Sequence, residues 1–208
     1  MAQVSITNPV DESVGGFRGH MFRRSFHLLM FIIPVLYYWW SSEIEKMINV
    51  DRDTVVIAVV LLAGIGELVR VKMGFTVFGQ REYESKQISA LAWGGISIGA
   101  CLLLAPKGGL NDSYIGLPII FSLTFLDPYL GEARRKGLSV NMVIITGILL
   151  AWIIWFSCWY FLETPWWIAF IMGPIAIASE WPRYRWIDDN ATMILIPLFI
   201  AVLLSPLY

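Results

Sequence analysis

The chain has 208 residues, 57% of them hydrophobic, with ten tryptophans, a mean hydropathy of +0.66 and a formal net charge of −1. Such a composition excludes an ordinary water-soluble domain and reads as a single integral membrane domain over residues 1–208. The near-zero net charge gives no basic excess for nucleic acid, and Cys101 and Cys158 lie inside apolar runs with neither a disulfide framework nor a metal-type spacing.

Residues 1–25 form a polar N-terminal segment, and the apolar run that follows from Phe26 carries no small-residue cleavage pattern, so it is expected to be a retained helix. A bilayer core of about 30 Å, crossed at about 1.5 Å per residue, predicts seven helical spans. They cover approximately 26–47, 54–71, 87–105, 114–131, 141–162, 165–180 and 191–207, with Trp and Tyr near many of their ends. The sixth is short and contains Gly173-Pro174, which predicts a kink or burial among neighbours. The fold class is therefore all-α and polytopic.

Twelve of the fifteen Lys and Arg residues fall on one side of this arrangement: Arg18, Arg23 and Arg24; Arg70, Lys72, Arg81 and Lys86; Arg134, Arg135 and Lys136; Arg183 and Arg185. The other side holds Lys46, Arg52 and Lys107. Because cytoplasmic loops collect basic residues, the N-terminus is expected in the cytoplasm and the C-terminus outside. On the outer side Glu43, Glu45, Asp51, Asp53, Asp112 and Glu163 read as solvated faces.

Four polar clusters fall on the cytoplasmic side. Arg23, Arg24 and His27 share one helical face at a spacing that suits an anionic phosphate or, equally, a juxtamembrane basic anchor. Glu67 and Arg70 are an i,i+3 pair near hydrocarbon depth, followed by a charged loop with Arg81 and Glu84. Asp127-Pro128 interrupts an apolar run and leads to Gly131, Arg134, Arg135 and Lys136, a pattern expected of a broken helix lining a nucleotide pocket. Glu180 and Asp188-Asp189-Asn190 bracket the last loop, and adjacent carboxylates with an amide suit Mg²⁺, a hard cation that shares oxygen ligands with phosphates, or, equally, neutralisation by Arg183 and Arg185 between them. The Walker P-loop, the dinucleotide fingerprint, His-Glu-x-x-His and Gly-x-Ser-x-Gly do not occur, so any nucleotide site must be built from helix ends and loops.

The order of these motifs resembles the polyprenol (dolichol) kinase family with its relatives, the phytol kinases and the CTP-dependent diacylglycerol kinases. The resemblance is carried by Arg23-Arg24-x-x-His27, Glu67-x-x-Arg70, Arg81-x-x-Glu84, the Asp127 to Gly131 segment with its bases, and Glu180 followed by Asp188-Asp189-Asn190. One departure is that Lys136-Gly-Leu-Ser139 runs straight into the next span without the glutamate such families usually carry there. The resemblance implies a multi-span enzyme that moves the γ-phosphate of CTP to the hydroxyl of a membrane lipid, with nucleotide bound from the cytoplasm. In that reading Asp188, Asp189 and Asn190 hold Mg²⁺. Arg24, His27, Glu67, Arg70, Arg81, Glu84, Gly131, Arg134, Arg135 and Lys136 form the nucleotide site, and Asp127 or Glu180 takes the hydroxyl proton. Two alternatives stand beside it: a cytidylyltransferase making a CDP-lipid, and a non-enzymatic transporter or scaffold.

Overall fold

The computed structural model describes residues 13–182, 184 and 186–208, and all regular elements among them are helical. The first twelve residues and the loop arginines Arg183 and Arg185 lie outside the described residues. The α-helices are α1 (Gly16–Leu29), α2 (Ile32–Trp39), α3 (Ser41–Ile48), α4 (Arg52–Met73), α5 (Ala90–Leu104), α6 (Gly116–Arg135), α7 (Val140–Leu162), α8 (Trp166–Ala178) and α9 (Asp189–Leu204). The last six match the expected spans to within a few residues. Their limits follow from local chemistry. Asp51, Ser89, Ser139 and Asp188 each cap a helix start through the side chain, and Gly74 closes α4 in the left-handed region at φ 71°.

Residues 26–47, expected as one continuous span, are instead divided among α1, α2 and α3. Pro34 has no N–H to offer the carbonyl of Met30, so the chain tightens there, with Ile33 N donating to Met30 O at 3.2 Å. At Asp127-Pro128 the opposite correction holds, because α6 runs unbroken through Pro128 to Arg135. Leu126 and Leu130 are fully buried on either side of the proline, and that packing keeps the helix together despite the lost hydrogen bond. Likewise α8 continues through Gly173-Pro174, with Gly173 pressed against the Trp152 ring, where a Cβ would come within 2.4 Å.

Helix α6 is the axis of the fold. It packs against α1, α2, α5, α7, α8 and α9, and its Ile119, Ile120, Leu123, Leu126 and Leu130 are completely enclosed. Trp155 of α7 reaches into this core and donates to Ser122 Oγ at 3.0 Å, while Ser122 donates to Pro118 O at 2.8 Å, so these two polar side chains of the interior are matched. Helix α4 is peripheral, with Arg70 its one buried residue.

Among the described residues three stretches are long and apolar enough to cross a membrane, namely Arg52–Met73, Val140–Leu162 and Asp189–Leu207, and α5 and α8 are shorter apolar helices. This set fits an integral membrane protein. The acids expected as solvated faces are in part paired. Arg52 lies 3.5 Å from Asp112 and 3.8 Å from Asp53, Lys107 lies 3.7 Å from Asp53, and Tyr37 OH donates to Asp53 at 2.5 Å. The reason is the helix break: it brings the end of α2 beside the start of α4, with the guanidinium of Arg52 4.8 Å above the Tyr37 ring.

Candidate functional site

The far end of α6 carries Asp127, Gly131, Glu132, Arg134 and Arg135, and α1 lies along it. His27 Nε2 sits 3.3 Å from Leu123 O and 3.6 Å from Asp127 Oδ2. One turn earlier, Arg24 Nη1 donates to Pro128 O at 2.9 Å, and its guanidinium also lies 3.6 Å from Glu132. Gly131 makes this possible, since a Cβ there would meet Arg24 Nη2 at 3.2 Å. The space beside Gly131, expected to belong to the nucleotide site, is thus occupied by an arginine of the protein itself.

His20 did not enter the expected site, yet it orients Arg24 by accepting from Nε at 3.0 Å. Accepting at Nε2 requires the neutral ring with its proton on Nδ1. Burial, with the charges of Arg24 and Arg23 adding to it, holds the His20 pKa below the usual imidazole value and so favours that form. The i,i+4 spacing of His20 and Arg24 was the available signal in the sequence.

The charged loop divides into structural and open parts. Glu84 is enclosed and fully used: Oε1 pairs with Arg23 at 2.7 Å and accepts from Arg81 N at 3.2 Å, while Oε2 accepts from Ala90 N at 3.3 Å. It pins α1 and the loop to the start of α5, which leaves little to offer a nucleotide. The Glu67–Arg70 pair is also closed. Arg70 bonds both oxygens of Glu67 at 2.7 and 2.9 Å and donates to Phe75 O and Gln87 O, each at 2.8 Å, while Glu67 accepts from Ser89 N. Every strong group of this pair is spent on holding the 75–89 segment against α4. Arg81, by contrast, bonds no carboxylate of the described residues through its side chain: it donates to Tyr83 OH at 2.6 Å and lies in the field of Asp188 and Asp189.

Three carboxylates from three separate elements meet in the middle. Asp127 of α6, Glu180 just past α8 and Asp189 at the start of α9 each bring an oxygen within 4.8 Å of the other two. Arg134 pairs with Glu180 Oε1, whereas Glu180 Oε2 is buried with no hydrogen-bond partner. Asp127 lies in the fields of Asp189, His27, Arg23 and Arg134. Arg135 pairs with Glu132 on the exposed side of α6, and Lys136 caps that helix, so these two bases stand outside the acidic centre.

The Asp188-Asp189-Asn190 run divides in the same way. Asp188 is the N-cap of α9 and accepts from Asn190 N at 3.1 Å; burial, helped by the charge of Asp189, pushes its carboxyl up to about 8. Asn190 is buried and donates from Nδ2 to Ala90 O at 3.0 Å, which ties α9 to α5. Adjacent residues on a helix start diverge by about 100°, so of this trio only Asp189 joins the carboxylates of other elements. A second tie comes from Trp93 Nε1, which donates to Trp186 O at 3.0 Å and holds the last loop against α5. The result is an acidic centre with Arg23, Arg24, Arg81 and Arg134 around it, at one end of the helices. Comparisons with protein-family models, curated proteins and solved structures return no match to this chain.

Proposed function

We propose that this chain is a membrane-embedded kinase of the polyprenol (dolichol) kinase type, transferring the γ-phosphate of CTP to the hydroxyl of a membrane lipid alcohol. The reading includes seven spans, a cytoplasmic N-terminus and an external C-terminus, which put the acidic centre at the cytoplasmic face. One observation carries it: polar clusters far apart in sequence converge on a single end, with carboxylates inside and arginines around them. Phosphoryl transfer needs little covalent chemistry from a protein. It needs in-line positioning and neutralisation of the phosphate charge, which arginines and Mg²⁺ held between carboxylates and phosphates supply.

In this reading Arg24, Arg81 and Arg134 contact the phosphates, with Arg23 and His27 supporting them. The lipid hydroxyl attacks the γ-phosphorus, its proton passes to a carboxylate, and the bond to the β-phosphate oxygen breaks to leave CDP. Asp127 suits the acceptor role better than Glu180, because 27% of its side chain is open to solvent against 1% for Glu180, which Arg134 already engages.

The test uses purified full-length protein in detergent with lipid alcohol, Mg²⁺ and CTP labelled at the α or the γ phosphate. Transfer of γ-label alone into the organic phase is the expected result. Transfer of α-label would replace the reading with a cytidylyltransferase, and label from no nucleotide would leave a non-enzymatic protein. Orientation is tested separately by single-cysteine labelling at Gln3 and Lys107 in intact cells. A membrane-impermeant reagent is expected to reach position 107 and not position 3.

A further inference from the structure

We infer that Asp127, Glu180 and Asp189 form a divalent-cation site that the protein holds by itself, before any nucleotide arrives, and that Asp188 and Asn190 position it without ligating. The inference deepens the kinase reading by naming the carboxylates that hold its ion, and a test without nucleotide lets it fail independently of that reading. Three oxygens from α6, the end of α8 and the start of α9 lie within 4.8 Å of one another. Ligands of one ion lie about 3 Å apart when adjacent and about 4.2 Å at Mg²⁺ or about 5 Å at Ca²⁺ when opposite, so the three oxygens are close enough for one ion to draw them together with small side-chain shifts.

The second, independent observation is Glu180 Oε2. Its side chain is 99% enclosed, Arg134 occupies the other oxygen, and Oε2 is shielded from solvent with no donor in reach among the described residues. A buried carboxylate oxygen without a partner costs free energy that folding does not leave uncompensated, and a cation is the missing partner that also separates three like charges. Among the described residues the basic groups nearby do not fill this role. Arg134 is committed to Oε1, Arg23 is bonded to Glu84, and His27 Nε2 stays 3.6 Å from Asp127 with its shorter contact to Leu123 O.

The donor set is all carboxylate, which selects a hard ion such as Mg²⁺, Mn²⁺ or Ca²⁺ over thiolate- or imidazole-seeking metals. It also spans three elements, so an ion there would cross-link α6, α8 and α9. Asp188 and Asn190 are spent on the α9 cap and on Ala90 O, which separates their role from that of Asp189 despite their adjacency.

The experiment is Mn²⁺ binding by electron paramagnetic resonance on full-length protein in detergent, without nucleotide, together with the Mg²⁺-induced shift in melting temperature. Wild type is expected to immobilise one Mn²⁺ per chain and to melt higher with Mg²⁺ than with chelator. Asp127→Asn, Glu180→Gln and Asp189→Asn should each weaken Mn²⁺ at least about tenfold and abolish the Mg²⁺ shift, by analogy with losses of 10–100-fold from supporting residues of metal sites. Asp188→Asn should stay within about threefold of wild type. Asp189→Asn keeps the Glu180–Arg134 pair, so its melting temperature in chelator should match or exceed that of wild type, which separates ligand loss from misfolding. Equal losses in Asp188→Asn and Asp189→Asn, or no immobilised Mn²⁺ in wild type at millimolar ion, would overturn the inference.

Discussion

At the end of the helices where α4 begins, Arg52 and Lys107 face Asp53 and Asp112, and the Tyr37 hydroxyl completes the set. At the other end Asp127, Glu180 and Asp189 crowd together, and among the described arginines Arg134 alone pairs with one of them. The first arrangement neutralises itself and ties α2, α4 and the loop before α6 into one unit. The second keeps an excess of negative charge at its centre and a buried oxygen with no partner. Charge that is matched inside the protein serves the fold. Charge that is left over, where exposing it would be simpler, is what a ligand recognises.

The Glu67–Arg70 pair lies at the site end but resembles the matched set, and it gives the largest expected effect. Glu67→Gln strands a buried Arg70 and should destabilise the protein by about 3–5 kcal/mol. A large fall in melting temperature in detergent is the expected reading. Unchanged melting with lost phosphoryl transfer would move the pair into the site and break the comparison.

Next comes Asp189→Asn, expected to cut phosphoryl transfer by about 10²–10³, or about 3–4 kcal/mol of transition-state stabilisation, with melting in chelator preserved. Steady-state transfer of γ-label measures it. Asp127→Asn should lose on the order of 10² if Asp127 accepts the proton.

Arg52→Met probes the matched end. Its side chain is 25% exposed, so the loss should be about 1 kcal/mol in stability, seen as a modest drop in melting temperature with no change in transfer. A change in transfer from that distance would show that the two ends are coupled.

The smallest effect concerns His20. Its folded pKa lies below the ordinary 6.5, so the unfolded chain binds the proton more readily, and stability is lost as pH falls through 6.5 toward the folded value. Melting temperature should therefore decline below about pH 6.5, and His20→Gln, which does not titrate, should decline less. Identical pH profiles would mean that the ring is not held neutral beside Arg24.

Much of this molecule is legible one residue at a time. Apolar runs of the right length located α4 through α9, since hydrophobic length and local caps such as Asp51, Ser89 and Ser139 are properties of neighbouring residues. The same runs overstated continuity at Pro34 and understated it at Pro128, because whether a proline breaks a helix depends on what packs around it. The identity of the polar end was also legible, because Arg24, Asp127, Glu180 and Asp189 stood out as ionisable groups beside hydrocarbon.

What the sequence could not decide is which charges cancel. Glu84 and Arg70 carry the same signals as Glu180 and Arg134, yet Glu84 is spent on Arg23 and Ala90 and Arg70 on Glu67 and two carbonyls. Adjacency made Asp188, Asp189 and Asn190 look like one ligand set, while the turn of α9 sends one to a cap, one to α5 and one to Asp127 and Glu180. Composition and periodicity are short-range properties and survive in the linear chain. The partner of a charge is set by helices that meet only in the folded state, and so only the tertiary structure separates the matched pairs that hold this protein together from the carboxylates of Asp127, Glu180 and Asp189 that crowd one another.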